Sequence, residues 1–196
     1  ASLDGYALRP ACRMCEYPSP VLAQITVGFI GVDGLMFDMD EETARLLTPS
    51  WPRIPAGDLS FRQDIVQRLA AERARQRDRA MADFTGRVSS AVALAAYFAA
   101  CQRCHNCMVA CPICYCPECI FRTPTFEHAS TQYLDWAARK GAVRLPTDTL
   151  LFHITRLNHM ATSCVGCGMC SAACPVGLPV AEVFRAVAEG AQGLFD

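Results

Sequence analysis

The stretch CQRCHNCMVACP, residues 101–112, decides the fold. It follows the pattern C-x-x-C-x-x-C-x-x-x-C-P, which is filled by Cys101, Cys104, Cys107 and Cys111. A second stretch, CVGCGMCSAACP at residues 164–175, repeats the same pattern with Cys164, Cys167, Cys170 and Cys174. Because two complete copies occur in one chain, coincidence is a poor explanation for the spacing.

This spacing is typical of 4Fe–4S clusters, because three thiolates at intervals of three residues let one loop curl around a cubane. The fourth iron then needs a thiolate from elsewhere, and in two-cluster ferredoxins the last cysteine of each run ligates the other cluster. Zinc sites would normally use C-x-x-C pairs instead of triplets. We therefore expect two adjacent clusters, with cluster A bound by Cys101, Cys104, Cys107 and Cys174, and cluster B bound by Cys164, Cys167, Cys170 and Cys111.

Five of the 13 cysteines in the 196 residues lie outside these runs, namely Cys12, Cys15, Cys114, Cys116 and Cys119. An odd total without a secretion signal argues against a disulfide scaffold. The pairs Cys12/Cys15 and Cys116/Cys119 are each C-x-x-C and could together form a four-thiolate site. Spacing alone does not distinguish a third 4Fe–4S cluster from a tetrahedral zinc ion, although an iron–sulfur chain favours iron. Cys114 would be a spare thiol or an alternative ligand.

Composition excludes several function classes. The chain has 18 Lys+Arg against 19 Asp+Glu, so it lacks the basic surface that nucleic-acid binding requires. No uninterrupted run reaches the roughly 20 apolar residues of a membrane span. The first residues show no secretory pattern, so we expect a cytoplasmic location.

We expect a mainly α fold with a small irregular α+β segment at its start. Helical periodicity and end signals predict helices over 60–84, 87–100, 123–141, 145–161 and 178–190. Thr123 would cap the third of these, and Gly141 would end it. The stretch AQITVGFIGVDGLMF, residues 23–37, predicts one or two short strands with turns at Gly28, Gly31 and Gly34. Proline-rich residues 48–57 predict a linker. The predicted domains are 1–57, a helical connector over 58–86, and a dicluster domain over 87–196.

Residues 87–190 resemble the α-helical ferredoxin domain found in fumarate reductase iron–sulfur subunits and in heterodisulfide reductase C subunits. The resemblance rests on the two cysteine runs and on the long helical spacer between them, since compact β-type ferredoxins place their runs much closer together. It implies a subunit of a larger complex.

A second resemblance covers residues 9–40. The stretch CRMCEYPSPVLAQITVGFIGVDG, residues 12–34, is similar to the C-terminal part of the beta-subunit family of deazaflavin-reducing hydrogenases and formate dehydrogenases. In that family a C-x-x-C precedes an A-D-I-x-V-G-x-x-G-like strand, and Gln24 stands here where the family tends to have Asp. The family binds a flavin and an iron–sulfur cluster, which implies that Cys12 and Cys15 are cluster ligands. The family's flavin-binding portion is missing from this sequence, so a flavin would belong to a partner subunit.

Several polar residues near the runs are weaker candidates. We expect His105 to be a surface or hydrogen-bonding residue, and His153 and His159 to be packed or close to a cluster. A cation near a cluster would raise its reduction potential, but ordinary surface pairing is the expected role of Arg103, Arg122 and Arg156. We find no nucleophile or acid–base constellation and no phosphate-binding loop, so no catalytic residue is predicted.

These patterns predict an iron–sulfur electron-transfer subunit of a multi-subunit oxidoreductase. It would relay electrons through two or three 4Fe–4S clusters between a flavin or metal catalytic site and an acceptor. Its partners would be a flavoprotein or hydrogenase, formate dehydrogenase or heterodisulfide reductase-like subunits. The alternatives are a flavin-dependent reductase whose active site this chain completes at a subunit interface, and a structural scaffold held by metals.

Overall fold

The computed structural model describes residues 5–20, 22–47, 59–143 and 147–195. The linker predicted over 48–57 lies outside the described residues. Within them the α-helices are, in chain order, α1 Pro10–Arg13, α2 Glu41–Leu47, α3 Ser60–Arg87, α4 Ala91–Tyr97, α5 Asn106–Val109, α6 Ser130–Lys140, α7 Thr149–Met160, α8 Met169–Ala172 and α9 Val180–Gln192. The strands are β1 Ile25–Gly28 and β2 Met36–Met39. The fold is mainly α, as predicted.

The chain divides into two compact units. The larger unit contains Ala1–Cys12 and Arg79–Asp196, and the smaller unit contains Arg13–Asp78. Both cysteine runs lie in the larger unit. The predicted domain limits at 57/58 and 86/87 stay predictions.

In the smaller unit, β1 and β2 pair as an antiparallel hairpin with Ile25 opposite Met39 and Gly28 opposite Met36. Gly31 and Gly34 have φ of +69° and +100°, as expected of turn glycines. Gly28 is instead the last residue of β1. A β-carbon there would lie 2.8 Å from Nη2 of the buried Arg62, so Gly28 leaves room for that side chain.

The core of the larger unit is assembled from helices that are distant in the sequence. Its main buried cluster comprises Phe84, Phe98, Leu157, Met160, Leu178, Val180, Val183 and Phe184. A second cluster comprises Cys107, Met108, Phe121 and Phe152. Cysteines of both runs pack against the main cluster, so the two runs lie against the core.

The helix limits differ from the prediction where local capping intervenes. Thr123 caps a 3-10 helix, Pro124–Phe126, by accepting a hydrogen bond from the Thr125 backbone at 3.5 Å, and α6 begins only at Ser130. Gly141, with φ +77°, ends α6 as predicted.

Two other predicted helices also have different limits. The helix predicted over 87–100 is shorter, because Ser90 accepts from the Ala93 backbone at 3.1 Å and starts α4 at Ala91. The last helix, α9, continues past Gly190 to Gln192.

Candidate functional site

Both cysteine runs follow the same backbone path. Gly166 and Gly168 have φ of +65° and +75°, and the corresponding residues of the first run, Arg103 and His105, have φ of +53° and +63°. The left-handed region suits glycine and is sparsely used by other residues. The first run therefore adopts the same turns with two non-glycine residues. An alignment of the two runs places Arg103 and His105 opposite Gly166 and Gly168, and it could have predicted this conformation from the sequence.

Each run then enters a short helix, α5 in the first run and α8 in the second, and these two helices pack against each other. This contact brings the end of one run to the beginning of the other. One cavity of about 330 Å³ is lined by a group that we call set A: Cys101, Cys104, Cys107 and Cys174. A second cavity of about 450 Å³ is lined by set B: Cys111, Cys164, Cys167 and Cys170.

Each cavity thus receives three cysteines from one run and the last cysteine of the other. This is the exchange that the ferredoxin-type spacing predicts for two adjacent clusters. The assignment of the individual ligands stays a prediction, and the cavity linings agree with it.

Set A receives hydrogen bonds from the surrounding backbone. The Arg103 N–H donates to Sγ of Cys101 at 3.4 Å, and the Leu178 N–H donates to Sγ of Cys174 at 3.3 Å. Hydrogen bonds to cluster sulfurs stabilise negative charge and tune reduction potential.

His153 is packed against set A, as predicted. Its side chain is 1% exposed and stacks on Phe98 with ring centroids 3.8 Å apart. Its Nε2 lies 3.4 Å from Sγ of Cys101. Burial, followed by the charge of Arg156, lowers the pKa of His153 to about 3, so the ring is neutral at physiological pH.

Arg156 is buried, and the predicted surface pairing is wrong for this residue. Its side chain is 3% exposed. Nη1 donates to Sγ of Cys107 at 3.1 Å, and Nη2 donates to the Cys107 carbonyl at 3.0 Å. The guanidinium lies 4.7 Å from the ring centre of Phe184, and Arg156 also lines the cavity of set B. Arg156 is therefore in contact with set A and adjacent to set B.

The other weak candidates have different environments. Arg103 forms an ion pair with the buried Asp148, whereas Arg122 and His159 are exposed. His159 is therefore not packed, and its nearness to a cluster stays a prediction. His105 is half-buried, with its ring 4.8 Å from that of Phe152. Burial, followed by the charge of Arg103, lowers the pKa of His105.

Burial weakens the acidity of several cysteine thiols, including two in each set. It raises the pKa of Cys170 to about 11. Burial also raises the pKa of Cys101, Cys107, Cys114 and Cys164. The charge of Arg156 opposes this effect at Cys107 and Cys170. A bound cation would hold such thiols as thiolates, because metal ligation requires the deprotonated form.

The residues around both cavities fit 4Fe–4S clusters. Cysteine sulfur is the soft ligand that iron–sulfur clusters use. Three buried nitrogens beside the cavities have no hydrogen-bond partner among the described residues, namely Nε2 of His105, Nδ1 of His153 and Nε of Arg156. Buried polar groups are normally satisfied, so these nitrogens are consistent with an acceptor that occupies the cavities.

The remaining cysteines are distributed around the runs. Cys114 interacts electrostatically with Cys116 and Cys119, and Cys119 contacts Sδ of Met108 at 3.8 Å. Cys12 belongs to the larger unit and Cys15 to the smaller one. In the described part of the chain, no three His, Cys, Asp or Glu side chains are close enough together to hold a single metal ion. The third site stays a prediction.

Comparison with known proteins identifies one matching domain family and several similar proteins. Residues 97–178 match the family described as 4Fe-4S dicluster domain. The chain is 34% identical to the F420-dependent formate dehydrogenase subunit beta of Methanocaldococcus jannaschii over 89 residues, which is 45% of this chain and 20% of that protein. It is 35% identical to the F420-dependent formate dehydrogenase 1 subunit beta of Methanococcus maripaludis over 89 residues, 45% of this chain and 19% of that protein.

A further relative is the acetyl-CoA decarbonylase/synthase complex subunit alpha of Methanococcoides burtonii, 40% identical over 58 residues, 30% of this chain and 6% of that protein. The chain spans about a fifth of the length of the formate dehydrogenase subunits that it matches. Across the described ranges, every helix is too short or too polar to cross a membrane. Over 89 residues the chain is therefore similar to formate dehydrogenase beta subunits, and its residues 97–178 match a 4Fe-4S dicluster domain.

Proposed function

We propose that this chain relays single electrons through two 4Fe–4S clusters, one at set A and one at set B, between a catalytic site on a partner subunit and an acceptor. When bound, each cluster accepts and returns one electron. The observation that carries the proposal is the composition of the two cavities, each lined by three cysteines of one run and the fourth cysteine of the other. This exchange links the two sites through the packing of α5 against α8.

Other residues around the cavities exclude water and determine where each set reaches the surface. Buried Phe98, Phe152 and Phe184 line or flank the sets and exclude water from them. Cys104 and Cys167 are exposed, so each set reaches the protein surface at one cysteine. An electron that arrives near one exposed cysteine can therefore leave near the other without crossing a thick layer of protein.

The other cysteines support a third metal site in the same proposal. Cys12, Cys15, Cys116 and Cys119 would hold a further 4Fe–4S cluster or a zinc ion, with Cys114 as a spare thiol or alternative ligand. The C-x-x-C spacing of both pairs supports this assignment.

The partners are proposed from the relatives. Because the relatives carry the names of formate dehydrogenase and acetyl-CoA decarbonylase/synthase subunits, we propose that the chain works inside a multi-subunit oxidoreductase in the cytoplasm. A flavin or a metal site on another subunit would supply or accept the electrons. Mass spectrometry of the proteins that copurify with the chain tests this part of the proposal.

Four cysteine-to-serine variants test the two clusters and the exchange between the runs. The full chain is purified anaerobically, its iron and labile sulfide are counted, and EPR spectra are recorded after reduction. The unmodified chain should contain at least about eight irons, enough for two cubanes. C104S defines the spectrum without the set A cluster, and C167S defines the spectrum without the set B cluster.

The remaining two variants test whether the last cysteine of each run ligates the cluster of the other run. C174S should lose the same signal as C104S although it lies in the second run, and C111S should lose the same signal as C167S. If C111S instead matches C104S, each run binds its own cluster and the exchange is wrong. Fewer than about eight irons in the unmodified chain would contradict the two-cluster relay, and flavin bound to the chain alone would favour a flavin-dependent reductase.

A further inference from the structure

Arg156 carries a buried charge without a carboxylate to balance it. Its side chain is 3% exposed, and no Asp or Glu of the described residues forms an ion pair with it. Arginine stays protonated in proteins, so the charge persists at every physiological pH. Burying an unpaired charge is strongly unfavourable. An anion in the immediate surroundings of Arg156 would remove that penalty.

The polar contacts of the guanidinium show that such an anion would lie on the side of Cys107, a set A cysteine. Nη1 and Nη2 both donate to Cys107, one to the thiol sulfur at 3.1 Å and the other to the carbonyl oxygen at 3.0 Å. Phe152 and Phe184 flank the guanidinium, with ring centres 5.4 and 4.7 Å from Cζ. The two aromatic rings hold the group in place and keep water away from it.

The same side chain also reaches the second site. Arg156 lines the cavity of set B together with its four cysteines. Its Nε is buried and has no hydrogen-bond partner among the described residues. One cation is therefore bonded to a set A cysteine and also lines the cavity of set B.

Two neighbouring arginines show that this arrangement is not a general property of the site. Arg185 lies beside the set B loop and donates to the Val165 carbonyl at 3.3 Å, but it is paired with Glu189 at 2.9 Å. Arg103 lies in the set A loop and is paired with Asp148. The charges of both are offset by a carboxylate, and the charge of Arg156 is left to act on the cysteine sets.

We propose that Arg156 is a positioning residue shared by both cluster sites, whose charge is balanced by the anionic clusters and raises the reduction potentials of both, that of set A more than that of set B. The inference rests on the proposed function. A reduced cluster carries one more negative charge than an oxidised one, and a fixed cation nearby stabilises the reduced form. The effect is larger at set A because a charge-assisted hydrogen bond to a ligand sulfur acts there directly.

Three variants separate the charge of Arg156 from its hydrogen bonds and from its neighbours. R156M removes the charge and keeps an unbranched apolar side chain of similar reach. R156K keeps the charge and loses the planar pair of donors that holds Cys107. R185M/E189Q removes a nearby charge together with the carboxylate that offsets it and serves as the matched control. Each full-length holoprotein is purified anaerobically, and both midpoint potentials are measured by EPR-monitored redox titration.

We expect R156M to reduce the reduction equilibrium constant of the set A cluster by at least about tenfold, which is about 59 mV for a one-electron couple. The set B cluster should shift in the same direction by a smaller factor. R156K should shift set A less than R156M does, and R185M/E189Q, which leaves the net charge unchanged, should change either constant less than about twofold. If R156M does not retain iron, R156Q, which keeps an amide donor and removes the charge, is measured in its place.

The two possible failures are distinguishable. An unmodified chain without two clusters overturns the proposed function itself. Two clusters whose equilibrium constants in R156M or R156Q stay within about twofold of the unmodified values overturn only the role of Arg156. A shift of set B that exceeds the shift of set A overturns the order of the two effects.

Discussion

Replacing Gly168 by alanine should destabilise the loop that carries set B, for two separable reasons. Gly168 has φ +75° and precedes α8 directly. A β-carbon at this position would overlap Cβ of Ala11. The substitution therefore introduces both a backbone penalty and an overlap with the segment that contains α1.

The size of each contribution follows from this geometry. A left-handed conformation costs an L-residue about 1–2 kcal/mol relative to glycine. The overlap with Ala11 forces either α1 or the set B loop to move, and overpacking of this kind costs about 1–3 kcal/mol. G168A should therefore lower the free energy of unfolding by about 2–5 kcal/mol.

Gly177 provides a matched control in the same part of the chain. Its φ is +67°, and a β-carbon there would meet no atom within 4 Å. G177A should therefore show the backbone penalty alone, about 1–2 kcal/mol. The double variant A11G/G168A removes the overlap, so in a double-mutant cycle the two substitutions should couple favourably by about 1–3 kcal/mol.

Denaturant unfolding of the anaerobically purified proteins measures these differences, and an iron count made in parallel reports on cluster retention. We expect G168A to lose iron associated with the C167S signal before iron associated with the C104S signal. Equal losses of stability in G168A and G177A would refute the contact with Ala11. A double variant no more stable than the sum of its single changes would refute it as well.

Two further predictions concern regions away from the cysteines. Y97F should lower the free energy of unfolding by about 1 kcal/mol, because the Tyr97 hydroxyl is hydrogen-bonded to the Pro179 carbonyl at 3.1 Å and to Glu182 at 3.2 Å. The substitution retains the contacts of the ring. An unchanged free energy of unfolding would contradict these hydrogen bonds. Asp40 accepts hydrogen bonds from the Thr43 backbone at 2.8 Å and from the Thr43 hydroxyl at 2.9 Å, and these bonds lower its pKa. The capping contribution of Asp40 to the stability of α2 should therefore be complete above the ordinary carboxyl pKa of about 3.9. It should be lost as the pH falls through the lowered folded-state pKa. An NMR titration that gives an ordinary pKa for this carboxyl would contradict the cap.

Much of the fold was predictable because its signals are local. The β-forming residues and glycines of 23–37 predicted one or two short strands, and the apolar repeats predicted the long helices; the pairing of β1 with β2 was not predicted. The ends of the helices were harder to predict, because they depend on capping. Ser90 starts α4 later than the apolar run begins, and Thr123 caps a 3-10 helix before α6. Such limits depend on which of several competing side-chain bonds forms, and composition does not reveal that choice.

The sequence by itself determined the chemistry of the site, because cysteine spacing along one loop dictates what that loop can wrap around. The tertiary structure alone decided which other residues meet the cysteines. Arg156 and His153 lie on α7, about fifty positions from the first run, and their burial follows from how α7 packs against α9 and the first run. Ala11 meets Gly168 across an even longer separation. Spacing carries no information about such contacts, because they depend on the packing of helices that are distant in the chain.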